Sequence, residues 1–147
     1  MKTFRMFFPG HPSSSLLGGV LLLARLAIGL MFMNHGMQKW LMYGELYDTF
    51  PDPLGVGSAW SLILIIMAEV VCSVFFMLGF LYRVVLLPMI FAMGMVFFVI
   101  HDGSLSDGGE LSLVYMLVFV LMYLIGPGKY SVDAWLRKRW IVDVKDE

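Results

Sequence analysis

Apolar residues run almost without interruption from Leu16 to about Trp40, from Trp60 to Leu81, from Val84 to Ile100 and from Leu111 to Ile125. At about 1.5 Å per helical residue these runs approach the thickness of a hydrocarbon core of about 30 Å. The pattern predicts four spanning helices, at about 16–40, 60–81, 84–100 and 110–126. The links between them are short and rich in breakers. YGELYDTFPDPLGVGS carries Pro51, Pro53, Gly55 and Gly57 and predicts a structured cap over one end of the helices, whereas HDGSLSDGG predicts a polar loop at the same end. Leu81, Tyr82 and Arg83 predict a tight turn that makes the second and third helices antiparallel neighbours. In GPGKYSVDAWLRKRW the Gly-Pro-Gly stops the fourth helix and Ser131 can N-cap a new one, at about 131–141. There Val132, Trp135, Leu136 and Trp140 oppose Arg137, Lys138 and Arg139, the pattern of an interfacial helix on anionic headgroups. The expected fold is all-α: a single integral membrane four-helix bundle with a short C-terminal interfacial helix.

Composition agrees with this pattern. The chain of 147 residues is 60% hydrophobic and 14% charged, far from the roughly 25% charged residues of soluble domains. Its net charge of −1 offers no electrostatic footprint for nucleic acid. Lys2, Arg5, Arg83, Lys129, Arg137, Lys138, Arg139 and Lys145 fall on one side if four helices alternate, and the other side carries mainly Glu45, Asp48, Asp52, Asp102, Asp107 and Glu110. Positive charge stays inside, so both termini are expected in the cytoplasm. The N-terminal segment reads as a retained helix rather than a cleaved signal, because Arg25 interrupts the apolar run and no small-residue cleavage site follows it. Cys72 is alone, which leaves no disulfide framework or CxxC motif. The methionines form no compact ligand motif and read as core filling.

Charged side chains within a membrane cost about 2.5–3.5 kcal/mol each on insertion scales, so they turn inward and pair. Counted from the inner ends of their runs, Arg25 lies roughly 13 Å up the first helix and Glu69 roughly 16 Å up the second. They are expected to form an intramembrane charge pair, acting either as a fixer of helix register or as an ionisable site. Arg25, His35, Lys39, Gly18, Gly29 and Gly36 share one face of the first helix, polar and small, as close helix packing requires.

A second cluster is expected near the outer boundary, where His35, His101 and Glu110 stand at similar counted heights with Lys39 beside them. Imidazoles and a carboxylate at one level can hydrogen-bond the carbonyls of a quinone, hold a metal, or clamp a haem iron. Quinone ranks first and no metal ligand is assigned: no HExxH spacing occurs, and the Lys39 ammonium repels a cation while favouring a carbonyl or anionic ligand. The bland reading is that interfacial histidines only cap the helices. Tyr115 and Tyr123 share a face with Ser112 and read as packing residues with satisfied hydroxyls.

These residues carry a family resemblance. RLAIGLMFMNHGMQK resembles the R-x-x-x-G-x-x-F-x-x-x-G-x-x-K pattern of the DoxX family. MAEVVCSVFFMLGFLYR resembles that family's second helix, His101 ends the third helix where the family tends to carry histidine, and GPGKYSVDAWL resembles its closing G-P-G-x-x-S-x-D motif. The similarity runs from about Arg25 to Leu136. It implies a four-helix protein of the bacterial cytoplasmic membrane and points to Arg25, His35, Lys39, Glu69, Arg83, His101, Glu110, Ser131 and Asp133. The family is named after a subunit of a quinone-linked oxidoreductase system, which implies a quinone and a redox partner protein as expected partners beside membrane lipid. No GxGxxG fingerprint occurs, so hydride or thiol chemistry would reside on another subunit. Two functions stay open: a redox-linked subunit binding a quinone or similar small ligand in the outer half of the bundle, or a non-catalytic scaffold, assembly factor or small-solute carrier.

Overall fold

The computed structural model of the protein describes residues 15–106 and 108–143, with side chains up to Arg139. Lys2, Arg5, Asp107, Lys145 and the Trp140 side chain, which entered the charge and interfacial readings above, lie outside the described residues. All regular structure among the described residues is helical. Helix α1 is Ser15–Leu41 and a short α2 is Tyr43–Leu46. Helix α3 is Ser58–Leu78 and α4 is Tyr82–Ile100. Helix α5 is Gly109–Ile125 and α6 is Val132–Asp143. Among the described residues three helices, α1, α3 and α4, are long and apolar enough to cross a membrane, and α5 is a shorter apolar helix.

Leu23, Leu26, Leu30, Leu87, Phe91, Phe98, Leu121 and Leu124 are exposed on the outward faces. Such a belt would be a liability in water and is the natural surface of a protein whose solvent is lipid. Inside, Phe32 of α1, Leu62, Ile65 and Phe76 of α3, Leu86, Met89 and Met93 of α4, and Tyr115 and Phe119 of α5 form one core. The small face of α1 packs against α3 as expected. A Cβ on Gly29 would stand 2.3 Å from Met77 Cγ, and one on Gly36 would stand 2.7 Å from both Glu69 Cβ and Val70 Cγ2, so glycine is what allows the two backbones to approach.

Two of the long helices are locally unwound. Residues Met67–Val71 of α3 and Val96–Ile100 of α4 form π-helical turns. Each π turn inserts one residue into the spiral and slips every later side chain to a different face, a device frequent at functional sites. The first carries Glu69, and the Ser73 hydroxyl donates a hydrogen bond of 2.6 Å to the Glu69 carbonyl. Helix α4 also contains Pro88, which has no N–H to return to the preceding turn.

At the end where α3 turns into α4, a lock holds the chain. Gly79 has φ +65° and Leu81 has φ +46°, a left-handed conformation unusual for leucine. The Asp133 carboxylate accepts the N–H groups of Leu81 and Tyr82, both at 2.9 Å, and the Asp133 N–H donates to the Gly79 carbonyl at 3.0 Å. Burial pushes the Asp133 carboxyl above the usual carboxylate range, against the opposing pull of those two N–H groups and of Arg25. The Ser131 hydroxyl accepts the Ala134 N–H at 3.2 Å and so caps α6. Asp133 and Ala134 are buried in this junction while Trp135 is exposed, with the Arg139 guanidinium 4.8 Å over its ring.

The Arg25 guanidinium belongs to this lock and not to Glu69. It is fully buried, donates to the Tyr130 carbonyl and lies against Gly79. The expected Arg25–Glu69 pair is therefore corrected: Glu69 is bonded to Lys39. The physical reason is register. Gly29 faces Phe76 and Met77 while Gly36 faces Glu69 and Val70, which puts Arg25 level with the α3–α4 turn. Glu69 then sits roughly 16 Å further along the axis at 1.5 Å per residue. The first apolar run starts below the level of the turn, so counting both helices from a common plane shifts one against the other.

Candidate functional site

At the opposite end, beneath the 42–57 and 101–108 loops, the helices line a half-open cavity of about 260 Å³. Its polar lining is His35 and Lys39 from α1, Glu69 from α3, and Ser112 and Tyr115 from α5. Phe32, Ile65 and Met93 are among the apolar residues that complete the wall, with Phe50 and Pro51 from the loop above.

Each polar group is placed by a local feature of the sequence. His35 and Lys39 stand one turn apart on α1, on either side of Gly36, whose missing side chain brings α1 onto the π turn. The Lys39 ammonium thereby meets the Glu69 carboxylate at 2.6 Å. Glu69 is 3% exposed and Lys39 is 27% exposed, so the carboxylate is sunk in the wall while the lysine reaches in from the rim. A buried carboxylate without that partner would carry a large desolvation cost. His35 lies edge-on to the Tyr115 ring at 5.8 Å between centroids, and Tyr115 in turn packs on Phe32 at 5.1 Å. The Ser112 hydroxyl is engaged with the Gly109 carbonyl at 2.9 Å.

Tyr115 corrects the expectation of a satisfied packing residue. It is only 6% exposed, and its hydroxyl has no hydrogen-bond partner among the described residues. Leaving a buried hydroxyl unpaired costs about 1–3 kcal/mol. Tyr115 is among the residues that line the cavity, with the hydroxyl itself buried.

The cap over the cavity is pinned by one side chain. Asp52 accepts the Gly57 N–H at 2.7 Å, the Val56 N–H at 3.1 Å and the Ser61 hydroxyl at 2.7 Å. The Ser61 hydroxyl and these N–H groups hold its carboxyl below the usual carboxylate range. Asp52 thus ties the loop to the start of α3 and sets the positions of its neighbours Phe50, Pro51 and Pro53.

Of the residues expected at this end, the structure brings His35 and Lys39 to the cavity and adds Glu69, which had been assigned elsewhere. His101 and Glu110 do not line it. Glu110 is exposed, and the His101 ring lies beside Gly108, 3.6 Å from where a Cβ there would stand. The expectation rested on counted height, which fixes how far along the axis His101 and Glu110 stand and not which way they face. Among the described residues no group of three or more His, Cys, Asp or Glu side chains could hold a metal ion. Tyr115 was missed as a site residue because its phase relative to the cavity depends on how α5 packs.

The DoxX family model matches residues 20–102, more than half of the chain. The chain belongs to the DoxX family. The matched segment contains Arg25, His35, Gly36, Lys39 and Glu69, whereas Ser112 and Tyr115 lie beyond it. Among curated proteins this DoxX chain is 29% identical over 132 residues to an uncharacterized membrane protein of Mycobacterium tuberculosis, covering 78% of this chain and 80% of that one. It is 25% identical over 131 residues to an uncharacterized protein of Haemophilus influenzae, covering 82% and 85%. No solved structure matches.

Proposed function

We propose that this DoxX-family membrane protein is a redox-linked subunit that binds a quinone or similar small carbonyl ligand in the cavity formed by His35, Lys39, Glu69 and Tyr115. The observation that carries the reading is the conjunction, among the residues lining one cavity, of a part-buried ion pair and a tyrosine whose buried hydroxyl has no partner among the described residues. The Lys39 ammonium and the Tyr115 hydroxyl supply donors for ligand carbonyls, and Glu69 and His35 can accept or return protons. When bound, a quinone supplies two-electron redox chemistry. The electrons would come from a partner protein.

In the same reading α5 crosses the membrane with α1, α3 and α4 as a four-helix bundle of the bacterial inner membrane, and both termini face the cytoplasm. The basic residues Arg83, Lys129, Arg137, Lys138 and Arg139 at the turn end support that orientation, as do the acidic loops at the cavity end. Solvent extraction of the purified protein, followed by chromatography and ultraviolet spectra of the extract, tests the ligand. The reading expects near-stoichiometric quinone from the native chain and a loss of about tenfold from Glu69→Gln or Lys39→Met, provided the variants stay folded. Extracts holding only phospholipid, with the native chain and variants alike, would favour the scaffold or carrier role.

A further inference from the structure

The cavity does not end at its polar wall. Phe50, Ile65, Val96 and Ile100 line it and also line a second space, an apolar groove of about 180 Å³ between α3 and α4. The groove walls are Leu64 and Ala68 on one helix and Pro88, Phe91, Ala92 and Met95 on the other, with Pro53 and Leu54 of the cap above. Ser61 is its polar member, and that hydroxyl is already bonded to Asp52. Leu64 and Phe91 at the rim are more than half exposed, so the groove opens on the lipid-facing surface.

The sequence accounts for the opening. Ala68 and Ala92 stand equally far from Phe80 at the hairpin turn, so two of the smallest side chains fall at the same level where two helices would otherwise close. Both π turns border the groove, through Ala68 on one side and through Val96 and Ile100 on the other. Small-molecule sites commonly hold about 300–1,000 Å³. Either space alone falls short of that range, and the two together enter it.

We infer that the groove and the cavity form one site for a single-chain amphiphile, which enters sideways from the membrane between α3 and α4. Its oxygen-bearing head sits at Lys39, Glu69 and Tyr115, and its hydrocarbon tail lies between Ala68 and Ala92. This rests on the proposed ligand site but not on the ligand being a quinone. A quinone with an alkyl tail and a fatty acid share the required chemistry: oxygen acceptors for Lys39 and Tyr115, and an apolar chain for a dry groove.

The test uses the full chain in phospholipid nanodiscs with two probes, a decyl benzoquinone and a palmitic acid, each carrying a diazirine near the tail end. Peptide mapping after illumination is expected to place the label of at least one probe on Leu64, Phe91 or Ala92. Ala92→Trp should cut that labelling at least tenfold, while Leu23→Trp, on an exposed face of α1, should leave it unchanged. Should Ala92→Trp fail to give a monodisperse protein, Leu64→Trp at the rim makes the same test. Excess tailless benzoquinone or acetate should compete with the probe that labels. Labelling by palmitic acid alone keeps the groove and removes the quinone. Label spread evenly around the belt, or insensitive to the groove variants, overturns the groove even if quinone is extracted from the native protein. Groove labelling that no head compound displaces overturns its connection to the cavity.

Discussion

The two polar clusters of this membrane protein use similar residues for different ends. At the turn end, Arg25 and Asp133 bond to backbone groups: Asp133 holds the N–H groups of Leu81 and Tyr82, and Arg25 reaches the Tyr130 carbonyl, while its Nε and Nη1 have no partner among the described residues. At the loop end, Lys39 and Glu69 bond side chain to side chain on a cavity wall, beside Tyr115, whose hydroxyl has no partner among the described residues. The first cluster binds chain to chain and stops irregular backbone from being left unpaired at the membrane boundary. The second joins two side chains that both line a cavity. Charge buried in a membrane protein therefore reports function only through what its partners are.

The largest expected effect breaks the turn end. Asp133→Ala removes two hydrogen bonds from a charged acceptor and orphans the N–H groups of the left-handed turn, at a cost of about 3 kcal/mol or more. Denaturant unfolding in detergent should show it, while bound ligand per folded molecule stays unchanged. If ligand is lost in proportion from protein that remains folded, the two ends are not separate.

Next in size is Gly36→Ala. The new methyl meets Glu69 Cβ and Val70 Cγ2 at 2.7 Å, one belonging to the π turn's own stem, so α1 must move off α3. Overpacking of this kind costs about 1–3 kcal/mol. Here, unlike Asp133→Ala, ligand retention should fall together with stability, because Lys39 is carried away from Glu69.

Tyr115→Phe sharpens the contrast further. It deletes a buried hydroxyl that has no partner among the described residues, so folding stability should be unchanged or higher by up to about 1 kcal/mol. Ligand affinity should nonetheless fall by about tenfold, the equivalent of one hydrogen bond. A plain packing role for Tyr115 predicts no change in binding.

The smallest effect concerns the cap. Asp52 has a folded-state pKa below its unfolded one, so its contribution is fully present above the ordinary carboxylate value of about 4 and is lost as pH falls through the lower folded value. Amide exchange at Val56 and Gly57 should accelerate relative to neighbouring amides only in that acidic window. In Asp52→Asn the same amides should show no such extra acceleration.

Much of the fold is legible in the sequence because apolar runs end at breakers that act locally: Gly126 and Pro127, the turn at Gly79, and the Pro and Gly residues of the first loop. The grouping of Lys39 and His35 on the Gly36 face is legible for a related reason, since α1 is a regular helix and its angular arithmetic holds throughout. Register between helices is not local. It depends on where each helix starts relative to its neighbour, and an error there moved Glu69 from Lys39 to Arg25. The π turns have no sequence signature of their own, and counted height sets His101 level with His35 without saying which way it faces. Tyr115 differs from Tyr123 only through packing: one residue lines the cavity with its hydroxyl buried, and the other ring receives the Arg83 guanidinium at 5.2 Å.

The separation of the two clusters is the central claim, and a pair of double-mutant cycles on unfolding free energy tests it most directly. Lys39→Met with Glu69→Gln should show a coupling of about 1 kcal/mol or more, allowing for the partial exposure of Lys39. Arg25→Gln with Glu69→Gln should be additive within about 0.3–0.5 kcal/mol. Strong coupling of Glu69 to Arg25 and none to Lys39 would contradict the account.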